Sequence, residues 1–497
     1  MTVLKTKSPY FAAVELGSNS FNLLIIRYDE KKLQVIDRES DMLQIARGKN
    51  ADGSLAEYSM SAALASLMRF RERLSIVPGA HIRALATKTI RSASNAKTFL
   101  KKAEQALGFP IETTSGYEEA RLIYTGLYHS AFQDERTRLV IDIGGASTEI
   151  TLGSTSKPDL LHSLNVGCVN ITKRFGLTNQ HINEVNMRSA YFETCAQLEE
   201  ISKHYLHRNW EIAFGTSGTI KSIVELTSRK GKNTSINKAS LKELMLKTID
   251  QKGIIDTKVA LLRRDVLPAG IAILSAIVDQ LKLEEVHIAN TSINEGLIYD
   301  SIGRASNHDI REIAIDTFAK QFKVDTDQAN RVKNMALLLW RQIDGPPLSG
   351  ISRTKILAWA SYLSEVGLSV SLSAYQKHGC YLLQHSDLAG FSRHEQLILS
   401  LLVLNHRKRV NIDTLEILSM NEQKGILPLL ICLRIATILA RRRETIKVSP
   451  TFHQQGQKYM LTLNRSWLKI YPFTYAALKK EVLQLSRIQY ELNVVGK

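Results

Sequence analysis

Cysteine is scarce in this 497-residue chain. Cys168, Cys195, Cys380 and Cys432 lie far apart with no CxxC spacing, so no disulfide framework is legible. They fit reduced, mostly buried thiols in a cytoplasm. Long apolar runs are missing too. The most apolar late segment, Ile426–Ala440, is interrupted by Pro428 and Arg434 and reads as a core helix, so no membrane partner is expected. Met1–Pro9 is short, basic and polar, without a targeting pattern. No helix-turn-helix, zinc-finger or RNP pattern appears, which makes nucleic acid an unlikely main substrate. Acids are in deficit: 48 Asp and Glu stand against 65 Lys and Arg, a formal net charge of +17. That charge points to acidic partners such as a polyphosphorylated small molecule, or else to a generally basic solvated surface. Hydrophobic content of 44% and charged content of 23% are ordinary for a soluble protein, and the length allows two to four domains with their own cores.

Against that background one stretch stands out, Leu139–Leu152. A β-branched run reaches Asp142, breaks into Gly144-Gly145-Ala146-Ser147, and returns to β-formers at Thr148 and Glu149. It reads as a strand, a tight turn and a second strand. An acid at the strand end can hold magnesium or its water shell, and glycine lets turn amides approach phosphate oxygens. A plain β-hairpin would look the same. The pattern recurs, however, at Glu15, followed by Gly17-Ser18-Asn19-Ser20 and the apolar run Phe21–Arg27. A repeated supersecondary unit suggests two similar halves sharing a cleft. A third turn, Gly215-Thr216-Ser217-Gly218-Thr219, opens the helical pattern Ile220–Leu226. It reads as another anion site or as a plain N-cap.

Strands are expected at Phe11–Leu16, Phe21–Arg27, Leu33–Asp37, Ile82–Ala86, Leu160–Leu164 and Val286–Ala289. Helical spacing covers Ser59–Leu74, with Leu64, Leu67, Met68 and Leu74 on one side, then Ile182–His207 and Ile271–Leu281. Thr87, Thr89 and Arg91 follow a strand end, where α/β sheets place ligands. Ser115-Gly116-Tyr117-Glu118 reads as a capping box opening the helix Gly116–His129. Glu118 is then assigned to the cap. Glu119, about 100° further round the helix, is free to serve as a base for an attacking water.

The stretches Ala12–Ile26, Ala86–Asn95, Ser115–Leu122, Val140–Ile150, Val166–Val169, Gly215–Lys221 and Leu267–Leu274 together resemble the exopolyphosphatase/guanosine pentaphosphate phosphohydrolase family of the actin-like ATPase superfamily. The Gly-Gly-Ala-Ser turn and Arg441-Arg442-Arg443 look closer to the guanosine pentaphosphate branch. The resemblance implies an α/β fold: two actin-like (ribonuclease H-like) half-domains around a cleft, at 1–125 and 126–303, and a mainly α-helical HD-like C-terminal region, 304–497, with a small terminal β element. It implies Glu119, Glu149 and Arg91 as catalytic residues, Arg91 being a phosphate ligand. Phosphate would be held by Gly17, Ser18, Asn19, Ser20, Gly144, Gly145, Ala146, Ser147, Gly215, Thr216, Ser217, Gly218 and Thr219. Asp142, Glu15 and Glu149 would hold Mg2+. The expected reaction is removal of the terminal phosphate of guanosine pentaphosphate, and also of inorganic polyphosphate, by a cytoplasmic homodimer.

The chain departs from the family pattern at several points. Glu15 stands for Asp, extending the charge by one methylene, which would move a metal or make it bind through water. Asn22 stands where His is frequent, Thr291 where Gly is usual, and Asn294 where Arg is usual. In the C-terminal region Ser364 replaces a His, while His378 and His406 survive, so no second metal centre is expected there. Lys408, Arg409 and Arg441–Arg443 are read as a basic wall. Tyr459–Leu463 and Leu492–Val495 are expected strands flanking the helical pattern Trp467–Leu485. Three rival classes share part of the pattern. An actin-like ATPase or sugar kinase would turn over ATP, a non-catalytic binder of alarmone or polyphosphate would release no phosphate, and a nucleic-acid binder would bind DNA or RNA without polyphosphate competition.

Overall fold

Period-two alternation decides the centre of the fold. In the computed structural model Tyr10–Leu16 (β1) pairs antiparallel with Ser20–Asp29 (β2), which pairs with Lys32–Met42 (β3). On β1 and β2, Ala12, Val14, Leu16, Phe21, Leu23 and Ile25 face one core. Phe11, Ala13, Leu24 and Ile26 face another. Both faces are therefore buried, which accounts for the near-continuous apolar run. Ile82–Ala86 (β4) and Ile111–Thr113 (β5) extend the sheet in parallel, in the order β3-β2-β1-β4-β5.

The second sheet repeats the plan. Arg138–Ile143 (β6) pairs antiparallel with Thr148–Gly153 (β7), and that with Leu160–Leu164 (β8). Ile212–Gly215 (β9) runs parallel to β6, as β4 does to β1. Ser235–Asn237 (β10) and Glu285–Ile288 (β11) complete the order β10-β11-β9-β6-β7-β8. Between the sheets, Leu122 and Tyr124 of helix Gly116–Ala131 and Leu297 and Ile298 of helix Ile293–Ala305 fill one apolar layer with Phe11, Val140 and Phe214. The two helices cross so closely that a Cβ on Gly296 would lie 1.9 Å from the Leu122 carbonyl oxygen, so only glycine fits. Helix Leu267–Gln280 is buried almost throughout. It opens at Leu267, with Pro268 in its first turn, where no N–H is needed.

Residues 9–29, 32–131, 136–178, 181–227, 234–254, 261–305, 308–343, 346, 348, 351–444 and 448–497 are described, so most of the polar Met1–Pro9 stretch lies outside them. The chain divides into two units, Met1–Ile310 and Arg311–Lys497. The second is helical, with a three-stranded sheet of Thr451–Gln455 (β12), Lys458–Leu463 (β13) and Glu491–Gly496 (β14). Its central helix, Met420–Ala440, is long and apolar enough to cross a membrane, yet 72% of its apolar window is buried inside the protein. Arg434 on that helix is 1% exposed. It forks onto Glu481 at 2.5 and 2.9 Å and donates to the carbonyls of Lys408 and Asn405.

The α/β class with a helical C-terminal region and small terminal sheet is as expected. Three details differ. Met68 is 54% exposed, because helix Glu57–Arg73 buries the stripe Met60, Ala63, Leu67 and Phe70 instead. The pattern Trp467–Leu485 is two helices, Arg465–Ile470 and Pro472–Ser486, since Pro472 can begin a helix but not continue one. Strand β12 carries the polar sequence Thr-Phe-His-Gln-Gln and had no apolar signal beyond Phe452.

Candidate active site

The two repeated turns close identically. The Gly17 amide donates to the Ser20 carbonyl at 3.1 Å, and the Gly144 amide to the Ser147 carbonyl at 2.9 Å. In both hairpins an acid two residues before the turn glycine faces a polar residue across the ladder: Glu15 opposite Asn22, and Asp142 opposite Glu149. The turns meet. A Cβ on Gly145 would sit 2.8 Å from the Ser18 Cβ and 3.3 Å from the Val169 side chain. Ser18 is steadied by the Thr89 hydroxyl at 2.7 Å. The third turn follows β9, where the Thr216 hydroxyl donates to Asp142 at 2.6 Å and Ser217 accepts from the Ile220 amide at 3.2 Å, capping helix Gly218–Thr227.

Between these turns lies a cavity of about 450 Å³. Glu15, Glu119, Asp142 and Glu149 all line it. Burial pushes the Glu15 carboxyl up to about 8, against a hydrogen bond from Asn22, with Asp142 and Glu119 adding repulsion. Burial, then Glu119 and Asp142, raise Glu149 well above the usual range, against donors Ser163 and Ser147. Asp142 is raised by burial, opposed by Thr216. Glu119 is raised by burial and by Asp142, although Arg91 and Lys88 pull it down. Four buried acids thus lie close enough to repel one another, an arrangement that favours a cation. Among the described residues no three His, Cys, Asp or Glu side chains form a ready ligand set.

Of the residues singled out in the sequence, Gly17, Ser18, Asn19, Ser20, Gly144, Gly145, Ser147 and Thr216–Thr219 line the cavity with those four acids. Arg91, Ala146 and Gly215 do not. Instead of facing the cavity, the Arg91 guanidinium donates to Glu119 at 2.5 Å and to the Thr114 carbonyl. Ala146 backs onto Gly167, where a Cβ would come within 2.5 Å of its backbone. Gly215 ends β9 under Ile220, whose methyl would meet a Cβ at 2.4 Å. Glu118 also has a role beyond the cap. Its amide does donate to the Ser115 hydroxyl at 3.2 Å, but its carboxylate forks onto Arg121 at 2.7 Å twice over.

Sequence reasoning missed Arg38, Lys221, Arg263 and Cys168 as lining residues, while Asn294, noted as a departure from the family pattern, does line the cavity. Lys221 had a signal, one helical turn beyond Ser217. Arg263 had none, since only folding brings it to the Gly218 carbonyl at 2.6 Å. In the second unit the expected basic wall is partly neutralised. Arg443 pairs with Glu365 at 2.6 Å and Asp325 at 2.8 Å, and Arg442 lies over Tyr471 and pairs with Glu444.

A family model described as the Ppx/GppA phosphatase family matches residues 24–305, and one for Ppx/GppA phosphatase, domain III, matches residues 310–482. An exopolyphosphatase structure from Cytophaga hutchinsonii shares 21% identity at a TM-score of 0.54, over 59% of this chain and 98% of that one. A Ppx/GppA family member from Aquifex aeolicus shares 21% identity at a TM-score of 0.50, over 60% of this chain and 98% of that one. An exopolyphosphatase-like protein shares 19% identity at a TM-score of 0.53, over 60% and 99%. At such identities the structures establish a common fold.

Proposed function

The chain belongs to the Ppx/GppA phosphatase family, and on that premise we propose that it hydrolyses a terminal phosphoanhydride, removing the 5′-terminal phosphate of guanosine pentaphosphate and the end phosphate of inorganic polyphosphate. The observation that carries this reading is the contact of the two glycine turns at Ser18 and Gly145, beside one cavity whose lining includes the buried acids Glu15, Glu119, Asp142 and Glu149. A polyanion is the ligand such a clamp of backbone amides fits.

In this reading the turns Gly17–Ser20 and Gly144–Ser147 hold the terminal and adjacent phosphates, and Thr216–Thr219 extends the cradle. Lys221 and Arg263 add positive charge along the same wall. Glu119 orients a water for in-line attack and takes its proton as the new P–O bond forms. The bridging P–O bond breaks and its electrons leave on the shortened substrate. Burial holds the Glu119 carboxyl above its ordinary range, which makes it a better base than an exposed one. Arg91 donates to it and holds it in place. Asp142, Glu149 and Glu15 would hold Mg2+, which supplies charge neutralisation of the phosphate oxygens. Positioning and electrostatics supply most of the rate in such transfers.

The test is phosphate release measured in parallel with guanosine pentaphosphate, long polyphosphate and ATP under Mg2+. Release from the first two and little from ATP supports the reading. Turnover of ATP alone would favour a kinase-like ATPase, and tight binding with no release a non-catalytic binder.

A further inference from the structure

Next to the acid cavity lies a second charged cluster, closed upon itself and made of opposite signs. Asp300, on helix Ile293–Ala305, accepts from three arginines: Arg83 of β4 at 2.6 Å, Arg121 of helix Gly116–Ala131 at 2.8 Å, and Arg304 at 2.9 Å. Arg83 also forks onto Glu112 of β5 at 2.7 and 3.2 Å. Arg121 spends its remaining edge on Glu118, at 2.7 Å through both Nε and Nη2. The side chains of Asp300, Glu118 and Arg121 are 3%, 4% and 7% exposed. The arginines hold Asp300 far below the ordinary carboxylate range, so the anchor stays charged.

Glu118, Arg121 and Asp300 do not line the cavity, yet with the close crossing at Gly296 they help set the rotation of the helix that carries Glu119. The start of helix Gly116–Ala131 is pinned along its axis by Ser115, which accepts from the Glu118 and Glu119 amides. Capping does not fix how far the helix is turned about that axis. Glu118 and Glu119 are successive residues, about 100° apart on the helix. Clamping Glu118 in a planar fork on one face therefore sets the direction in which Glu119 points from the other. A bidentate fork resists rotation as a single hydrogen bond does not. Asp300 also lies on the helix whose first turn brings Asn294 to the cavity, so one buried anchor ties both helices to the edge of the first sheet.

We propose that Arg121, Glu118 and Asp300 are positioning residues that aim Glu119 at the attacking water. This inference rests on Glu119 being the base. A structural cluster would alter stability alone. A positioning cluster lowers kcat in a protein that remains folded and still binds substrate.

The experiment compares wild type, Glu119→Gln and the double variant Glu118→Gln/Arg121→Met, with substrate turnover and thermal unfolding measured on each. The double variant removes both members of the fork together, leaving Asp300 to Arg83 and Arg304. The expected result is a cooperative unfolding transition, a KM within about threefold of wild type, and a kcat reduced tenfold or more, a misplacement effect of the size small geometric errors produce. Arg121→Lys, which keeps the charge and loses the fork, serves if the double variant does not fold. Its kcat should fall between the two. Wild-type kcat in either folded variant, or a rise in KM with kcat unchanged, overturns the proposal. The two readings separate cleanly. If Glu119→Gln is inactive while the folded double variant turns over normally, only the positioning role falls. If Glu119→Gln is fully active, both fall.

Discussion

Gly145 and Ser18, from turns more than a hundred residues apart in the chain, lie so close that a Cβ on Gly145 would come 2.8 Å from the Ser18 Cβ. Neither atom sits at the end of a flexible side chain, so any added carbon must wedge the turns apart. Gly145→Ala is expected to lower kcat/KM by about tenfold to a hundredfold, the kinetic equivalent of an overpacking cost of about 1–3 kcal/mol. Steady-state phosphate release checks it.

Gly116 couples the helix of Glu119 to the strand facing Glu149. A Cβ there would lie 2.4 Å from the Ser163 hydroxyl and 2.5 Å from its Cβ, and that hydroxyl donates to Glu149 at 2.8 Å. Gly116→Ala should cost about 1–3 kcal/mol of stability and reduce turnover. Adding Ser163→Gly removes the clash but not the need for a donor. The double variant should regain its melting temperature and remain slow.

In the second unit, Arg434 is the buried group whose loss is costliest to predict away. Arg434→Ala strands Glu481, itself 5% exposed, and should destabilise by about 3–5 kcal/mol. Arg434→Met/Glu481→Leu, which removes both charges, should cost much less. Denaturant titration distinguishes the two.

His406 gives the same unit a pH dependence. It is buried, with Nδ1 on the Val403 carbonyl at 2.6 Å and Nε2 unpartnered. Burial, with Arg434 and Arg407 nearby, pushes its pKa down to about 4 from 6.5. Between those values the unfolded chain binds a proton that the folded chain refuses. Stability present above pH 6.5 is therefore lost as pH falls towards 4, by up to roughly 3 kcal/mol. The stability difference between pH 7 and pH 4.5 should shrink in His406→Gln.

What the sequence made legible was local and periodic. The strand–turn–strand repeat was visible because glycine, an acid and apolar runs occur within a few positions; that β1 and β6 alternate between two cores became visible only with the fold. What it concealed was set by distant partners. Arg91 follows a strand end, where a ligand is the natural guess, but Glu119 claims its guanidinium. Glu118 fits a capping box, yet Arg121 takes its carboxylate and also donates to Asp300, and no spacing rule connects residue 118 to residue 300. Arg263 reaches the third turn only through folding, and Met68 is exposed because a neighbouring stripe packs better.

The most direct measurement is phosphate release by wild type and Glu119→Gln under Mg2+, with substrate binding followed on both. Loss of a positioned base typically lowers the rate about 10²–10⁴-fold. Glu119→Gln should show such a loss with affinity nearly unchanged. Release at the wild-type rate by Glu119→Gln would contradict Glu119 as the base.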